Sequence, residues 1–144
     1  MSTVTSADGT TIAFTRAGQG PPLILVDGAL CSRSFGPMPK LAAQLAPHFT
    51  VYTYDRRGRG ASGDTPPYAP DREVDDIEAL AAVAGETGGP VFLHGTSSGA
   101  ALALEAVKRI PAITKLAVYE PPFIVDHSRS PLSLIHISEP TRPY

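Results

Sequence analysis

Apolar residues along the chain fall into short runs, and their spacing switches between a period of two and a period near four. Ile12 and Phe14 alternate with Thr11, Ala13 and Thr15, and Asp8-Gly9 separates residues 10–15 from residues 3–6. Alternation around Asp-Gly predicts a β-hairpin with one buried face. After the break at Gly18-Gln19-Gly20-Pro21-Pro22, Leu23-Ile24-Leu25-Val26 is apolar throughout, the pattern of a strand covered on both faces. Phe35, Met38, Leu41, Ala42 and Leu45 recur at helical spacing, and residues 49–54 predict the next strand. A loop rich in Gly and Pro fills residues 55–70. Asp71 is then expected to cap a helix whose buried stripe is Val74, Ile77, Leu80, Ala81 and Ala84. Val91-Phe92-Leu93 predicts a strand. Residues 98–109 predict a helix apolar almost all round and therefore deeply packed, with Lys108 and Arg109 at the negative end of its dipole. Residues 116–119 predict one more buried strand.

A hairpin followed by four apolar strands alternating with three helices predicts an α/β fold. It is a doubly wound, mostly parallel sheet with an N-terminal β-hairpin and helices on both faces. Sites in such sheets lie beyond the carboxyl ends of the strands. Three loops converge there, at residues 27–30, 55–63 and 95–99.

Composition narrows the class. The 144 residues are 42% hydrophobic and 18% charged, as in an ordinary globular domain. A formal net charge of -2 gives no footprint for nucleic acid or an anionic membrane. Cys31 is the only cysteine, so no intramolecular disulfide can form. The first nine residues have neither a basic segment nor an apolar core, and no apolar run approaches a membrane span; a soluble cytoplasmic protein is expected.

The informative motif is Gly95-Thr96-Ser97-Ser98-Gly99 between a strand and a helix. Gly-x-Ser-x-Gly in that context is a nucleophile elbow, a turn so tight that small residues must flank the serine. It predicts Ser97 at the apex with its hydroxyl exposed, and the Ser98 N–H at the positive end of the helix. A rival motif is Gly58-Arg59-Gly60-Ala61-Ser62-Gly63, which satisfies Gly-x-Gly-x-x-Gly after a strand. A dinucleotide-binding turn must open a helix, whereas Asp64-Thr65-Pro66-Pro67 follows here, so this alternative is disfavoured. Arg56, Arg57 and Arg59 are expected to brace loops through carboxylates such as Asp55 and Asp64 in preference to binding an anion. Cys31 reads as a free buried thiol, and Glu120 as a strand exit in preference to a catalytic acid.

With these motifs in place, residues 3–128 resemble the α/β-hydrolase superfamily. The resemblance rests on the Asp27-Gly28-Ala29-Leu30 turn, the loop from Tyr54 to Gly63 and the Gly95–Gly99 elbow, in that family's order. It implies a serine nucleophile at Ser97 and an oxyanion hole made by the Ala29 and Ser98 backbone N–H groups. Gly28, Gly95 and Gly99 would support the turns. The implied function is cofactor-independent hydrolysis of a small-molecule substrate, an ester in the broadest reading, with no metal. Asp27 departs from the pattern, since many members carry histidine before that glycine. A carboxylate there must point away from a developing oxyanion. The family's acid and base lie further on, after a cap segment that would begin near residue 121. None of the four histidines, His48, His94, His127 and His136, stands out as a base. The alternative reading is therefore a catalytically inert, truncated fragment. Nothing in the sequence fixes an oligomeric state.

Leu132-Ser133-Leu134-Ile135-His136-Ile137-Ser138-Glu139-Pro140-Thr141-Arg142 equals the in-frame translation of a transposon-end sequencing adapter. The expected organisation is thus an N-terminal hydrolase segment at residues 1–131 and a non-native tail at residues 132–144. Resequencing the source locus across this junction checks it; the same tail in genomic DNA overturns it.

Overall fold

The structure is a computed structural model that describes residues 1–122; the expected tail and cap lie outside the described residues. Six strands form one sheet in the order β1-β2-β4-β3-β5-β6. β1 (Ser2–Thr5) and β2 (Thr11–Gly18) make the expected hairpin, with Asp8-Gly9 at its turn and Gly9 at φ 89°. β2 runs on to pair antiparallel with β4 (Thr50–Tyr54). β3 (Pro22–Val26), β5 (Val91–Thr96) and β6 (Ile113–Tyr119) join β4 in parallel. The fold is the α/β architecture that the pattern predicts, with the hairpin as its antiparallel flank.

From β3 the chain moves to β4 on one side through α1 (Met38–Leu45). It then reverses, passing through α2 (Pro70–Ala84) to β5 and through α3 (Ser98–Arg109) to β6 on the other side. Crossovers of one hand that change direction must put their helices on opposite faces. Accordingly Val74, Ile77 and Leu80 of α2 and Leu102, Ala103 and Ala106 of α3 share a core with Ile12, Ile24, Tyr52 and Leu93. On the other face, Met38 and Leu41 of α1 cover Leu23, Leu25 and Val51. The loops leaving β3 and β5 diverge to opposite faces, and a crevice opens where they part.

Four local expectations are corrected. Phe35 is not part of the α1 stripe but 71% exposed, because Gly36 (φ 119°) and Pro37 turn the chain before the helix begins. α2 is not capped by Asp71. Its N-cap is Ala69 with Pro70 at the first position, where the fixed φ of proline suits a helix start, and Asp71 lies in the first turn. α3 is packed through one side only, with Ser98, Gly99, Ala100, Leu102, Ala103 and Ala106 buried, and Glu105, Lys108 and Arg109 are exposed. β6 is not a buried strand: among the described residues it pairs only with β5, and Val118 and Tyr119 are 40% and 60% exposed.

Candidate active site

β5 ends at Thr96 and α3 begins at Ser98, leaving Ser97 alone to make the corner at φ 55° and ψ −122°. A positive φ on a residue with a Cβ is strained and persists only where its surroundings over-determine it. Here they do. The Ser97 N–H donates to the Tyr119 carbonyl at 2.9 Å, and the Ser97 carbonyl accepts from the Ala100 N–H at 2.9 Å. The flanking glycines are required by contact. A Cβ on Gly95 would lie 2.5 Å from the Gly99 carbonyl oxygen and 2.7 Å from the Ala100 Cα. One on Gly99 would collide with the carbonyl oxygens of Val26 and Asp27. The helix therefore starts flush against the end of β3.

That contact brings the 27–30 turn to Ser97. A Cβ on Gly28 would stand 3.5 Å from the Ser97 Cβ. Asp27 is 2% exposed, and its Oδ1 accepts the Gly28 N–H at 2.8 Å. Its other oxygen faces the side where Cys31 and Gly36 meet. Burial pushes the Asp27 carboxyl above its ordinary range, and burial followed by the Asp27 charge pushes the half-buried Cys31 thiol up. The aspartate that departs from the family pattern is thus folded under its own turn.

Three arginines tie this end of the sheet together, through partners other than the expected Asp55 and Asp64. Arg56 donates to Glu73 of α2 through Nε (2.7 Å) and Nη2 (2.6 Å). Its Nη1 reaches the Asp27 carbonyl at 3.3 Å and the Ser98 Oγ at 3.2 Å. Tyr68 donates its hydroxyl to the same Glu73 carboxylate at 2.6 Å. Arg57 joins Asp76 of α2 and Asp8 of the hairpin turn, with contacts of 2.7 Å and 2.8 Å. Arg59 Nη1 donates to the Gly28 carbonyl at 2.6 Å and to the Cys31 carbonyl at 3.1 Å. Burial pulls the Arg59 pKa down, helped by the Arg56 charge, but a guanidinium stays protonated in proteins. Asp55 instead binds the Arg33 N–H and Nε at 2.7 and 3.1 Å, and its carboxylate fills the space where Gly60 would carry a Cβ. The 58–63 loop closes on itself through a 2.8 Å bond from the Gly58 N–H to the Gly63 carbonyl. It opens no helix, since α2 starts only at Pro70.

The sequence reading places Glu73 only in the first turn of α2 and does not single out Asp76, although both are about 1% exposed. The available signal was their three-residue spacing beside the apolar positions Val74 and Ile77, downstream of a run of arginines. Among the described residues neither histidine is bonded to Ser97. His94 lies on the α1 face of β5, its Nε2 3.0 Å from the Thr96 Oγ1, with burial lowering its pKa. His48 is exposed ahead of β4, and His127 and His136 lie outside the described residues. Glu120 is exposed directly after β6. Among the described residues no group of His, Cys, Asp and Glu could hold a metal, and no helix is long and apolar enough to cross a membrane.

The model of the alpha/beta hydrolase family matches residues 18–143. An alpha/beta hydrolase from Sphaerobacter thermophilus DSM 20745 is 56% identical, with a TM-score of 0.80 over 90% of this chain and 49% of that one. The esterase RhEst1 from Rhodococcus sp. ECU1013 is 27% identical, with a TM-score of 0.69 over 81% of this chain and 47% of its own. The uncharacterized hydrolase YraK of Bacillus subtilis (strain 168) is 30% identical over 134 residues, 91% of this chain. This chain spans 45% of that relative's length. Matched by the family model over residues 18–143, the chain belongs to the alpha/beta hydrolase family.

Proposed function

We propose that the protein is the N-terminal part of a serine hydrolase that cleaves ester-type carbonyl bonds in small molecules, with Ser97 as the nucleophile. The observation that carries this reading is the strained Ser97 corner with the Gly28 turn packed against its Cβ. The Ser97 Oγ would attack the carbonyl carbon, and the carbonyl oxygen would become an oxyanion held by the Ala29 and Ser98 N–H groups. The oxyanion would collapse by breaking the ester C–O bond, and the departing alcohol would take the proton that left Ser97 by way of the base. Water would then attack the acyl-serine, releasing the acid and returning a proton to Ser97. Ser98 is the first residue of α3, so its N–H has no carbonyl four residues earlier in the helix to bind. Preorganised N–H donors at a developing charge supply a large share of such catalysis. The likeness to an esterase supports an ester as substrate. Gly28, Gly95 and Gly99 serve by letting the two turns approach.

A second reading concerns the chain by itself. A serine hydroxyl needs a base within hydrogen-bond reach, and among the described residues the one half-buried histidine, His94, is turned to Thr96. We infer that the base and its acid partner come from outside residues 1–122, and that residues 1–122 by themselves turn over little or no substrate. Loss of the base costs on the order of a millionfold in turnover in a well-studied serine hydrolase. A fluorophosphonate probe at high concentration tests both readings. Slow labelling that disappears in Ser97→Ala is expected. Labelling that survives the substitution removes Ser97 from its role, and rapid labelling overturns the inert reading.

A further inference from the structure

We propose that Arg59 is a positioning residue for the oxyanion site, setting the direction of the Ala29 N–H by holding the Gly28 carbonyl. The inference rests on the reading of Ala29 as an oxyanion donor and adds the part that aims it.

The Gly28 carbonyl and the Ala29 N–H belong to one rigid peptide plane and point in opposite directions. Whatever fixes the carbonyl fixes the N–H. Arg59 Nη1 binds that carbonyl at 2.6 Å, a short bond of the charge-assisted kind. The same nitrogen reaches the Cys31 carbonyl at 3.1 Å, so one guanidinium group spans the turn.

The two adjoining peptide planes are not equally held. The Asp27–Gly28 plane is fixed at both ends: Arg56 binds its carbonyl at 3.3 Å and the Asp27 Oδ1 accepts its N–H at 2.8 Å. The Gly28–Ala29 plane is bound on its carbonyl side by Arg59, while no protein acceptor takes the Ala29 N–H among the described residues. Gly28 has no Cβ to resist a flip of this second plane. Among the described residues, the Arg59 guanidinium is the group bonded to this plane.

Arg59 is itself placed by the loop. Its N–H donates to the Arg56 carbonyl at 3.0 Å, between Gly58 and Gly60, both at positive φ. A cation at the carbonyl end of a peptide also polarises it and makes its N–H a stronger donor. The loop after β4 thus acts on the site through the backbone of another loop and touches no substrate.

The test compares Arg59→Met, which keeps the apolar stem, with Arg59→Lys, which restores a cationic donor. Fluorophosphonate labelling of Ser97 is resolved into a binding constant and a maximal rate, and thermal melting confirms that each variant folds. Arg59→Met should lower the maximal rate by on the order of tenfold to a hundredfold with the binding constant unchanged. Arg59→Lys should recover most of that loss. An unchanged maximal rate in Arg59→Met overturns the proposal, and so does a crystal structure of that variant with the Gly28–Ala29 plane undisturbed. If the unmodified chain shows no labelling that depends on Ser97, the nucleophile reading fails; the crystal structure still decides whether Arg59 sets the plane. If Arg59→Met does not fold, Arg59→Gln takes its place in both measurements.

Discussion

Arg56 and Glu73 meet as a two-pronged pair shut off from water, with their side chains 0% and 1% exposed. Parallel bonds of 2.7 and 2.6 Å join them, and the remaining Arg56 nitrogen reaches the Asp27 carbonyl and the Ser98 Oγ. The pair thus connects α2 to both turns of the candidate site. Burial alone would lower the Arg56 pKa, yet the Glu73 charge and hydrogen bonds raise it, and Arg56 draws the Glu73 carboxyl below its ordinary range.

Removing one partner leaves a buried charge uncompensated. Glu73→Ala should cost about 3 to 5 kcal/mol. The double variant Arg56→Met with Glu73→Leu, which leaves no orphan charge, should cost clearly less. Urea midpoints of the three proteins measure this. Equal losses in the single and double variants would show that the pair matters through its shape and not its charge.

Ser97 carries strain that a glycine would not. At φ 55° and ψ −122° the Cβ is opposed by the backbone, at a cost of order 1 to 3 kcal/mol. Ser97→Gly should therefore raise the melting temperature while abolishing fluorophosphonate labelling, even after the extra entropy of an unfolded glycine is subtracted. A fall in the melting temperature would mean that the serine side chain holds the corner in place instead of being carried by it.

The hairpin turn gives a pH dependence of definite sign. A hydrogen bond from Arg57 holds the Asp8 carboxyl well below its ordinary value of 3.8, outweighing burial. The unfolded chain then binds more protons near pH 4 than the folded one. This contribution is present above the unfolded value of 3.8 and is lost as pH falls through the lower folded value. Asp8→Asn should lower stability at pH 7 and flatten its decline in acid. Thermal melting from pH 7 to about pH 3 follows this. An acid limb equally steep in the variant would assign the dependence to other carboxylates.

Much of this was legible because it depends on local rules. The Asp8-Gly9 hairpin, the fully apolar run Leu23-Ile24-Leu25-Val26 and the strand–Gly-x-Ser-x-Gly–helix sequence each name their own geometry. What was missed depends on pairing across the fold. Nothing beside Arg57 in the sequence says that its charge belongs to Asp76 and Asp8 and not to Asp55 or Asp64. Asp27 reads as a threat to an oxyanion until the structure shows its carboxyl bonded to its own neighbour's N–H. β6 reads as a core strand because Leu116-Ala117-Val118 is apolar, and a sheet edge has the same composition as a sheet centre when the neighbour that would cover it is not in view.

That edge yields the last prediction. β6 is seven residues long, and beyond it no strand is paired among the described residues. Unpaired N–H and carbonyl groups along a strand recruit other strands, and proteins usually blunt such edges with charge. Lys115 is the one cation on β6, and its ammonium is drawn to within 5.4 Å of the Phe92 ring centre. Val118 and Tyr119 remain exposed at the end that meets the candidate site. On the α1 face, Leu23, Leu41, Phe92 and Leu116 line an apolar groove of about 520 Å³ beside the same strand. Edge and groove together favour association between copies. Val118→Lys places a charge on the exposed edge without touching the Tyr119 carbonyl that holds Ser97. It should raise the soluble fraction on expression and lower light scattering at equal concentration, with the melting temperature unchanged. If the soluble fraction stays the same while a charge introduced in the groove, such as Leu41→Lys, raises it, association runs through the groove and not the strand edge.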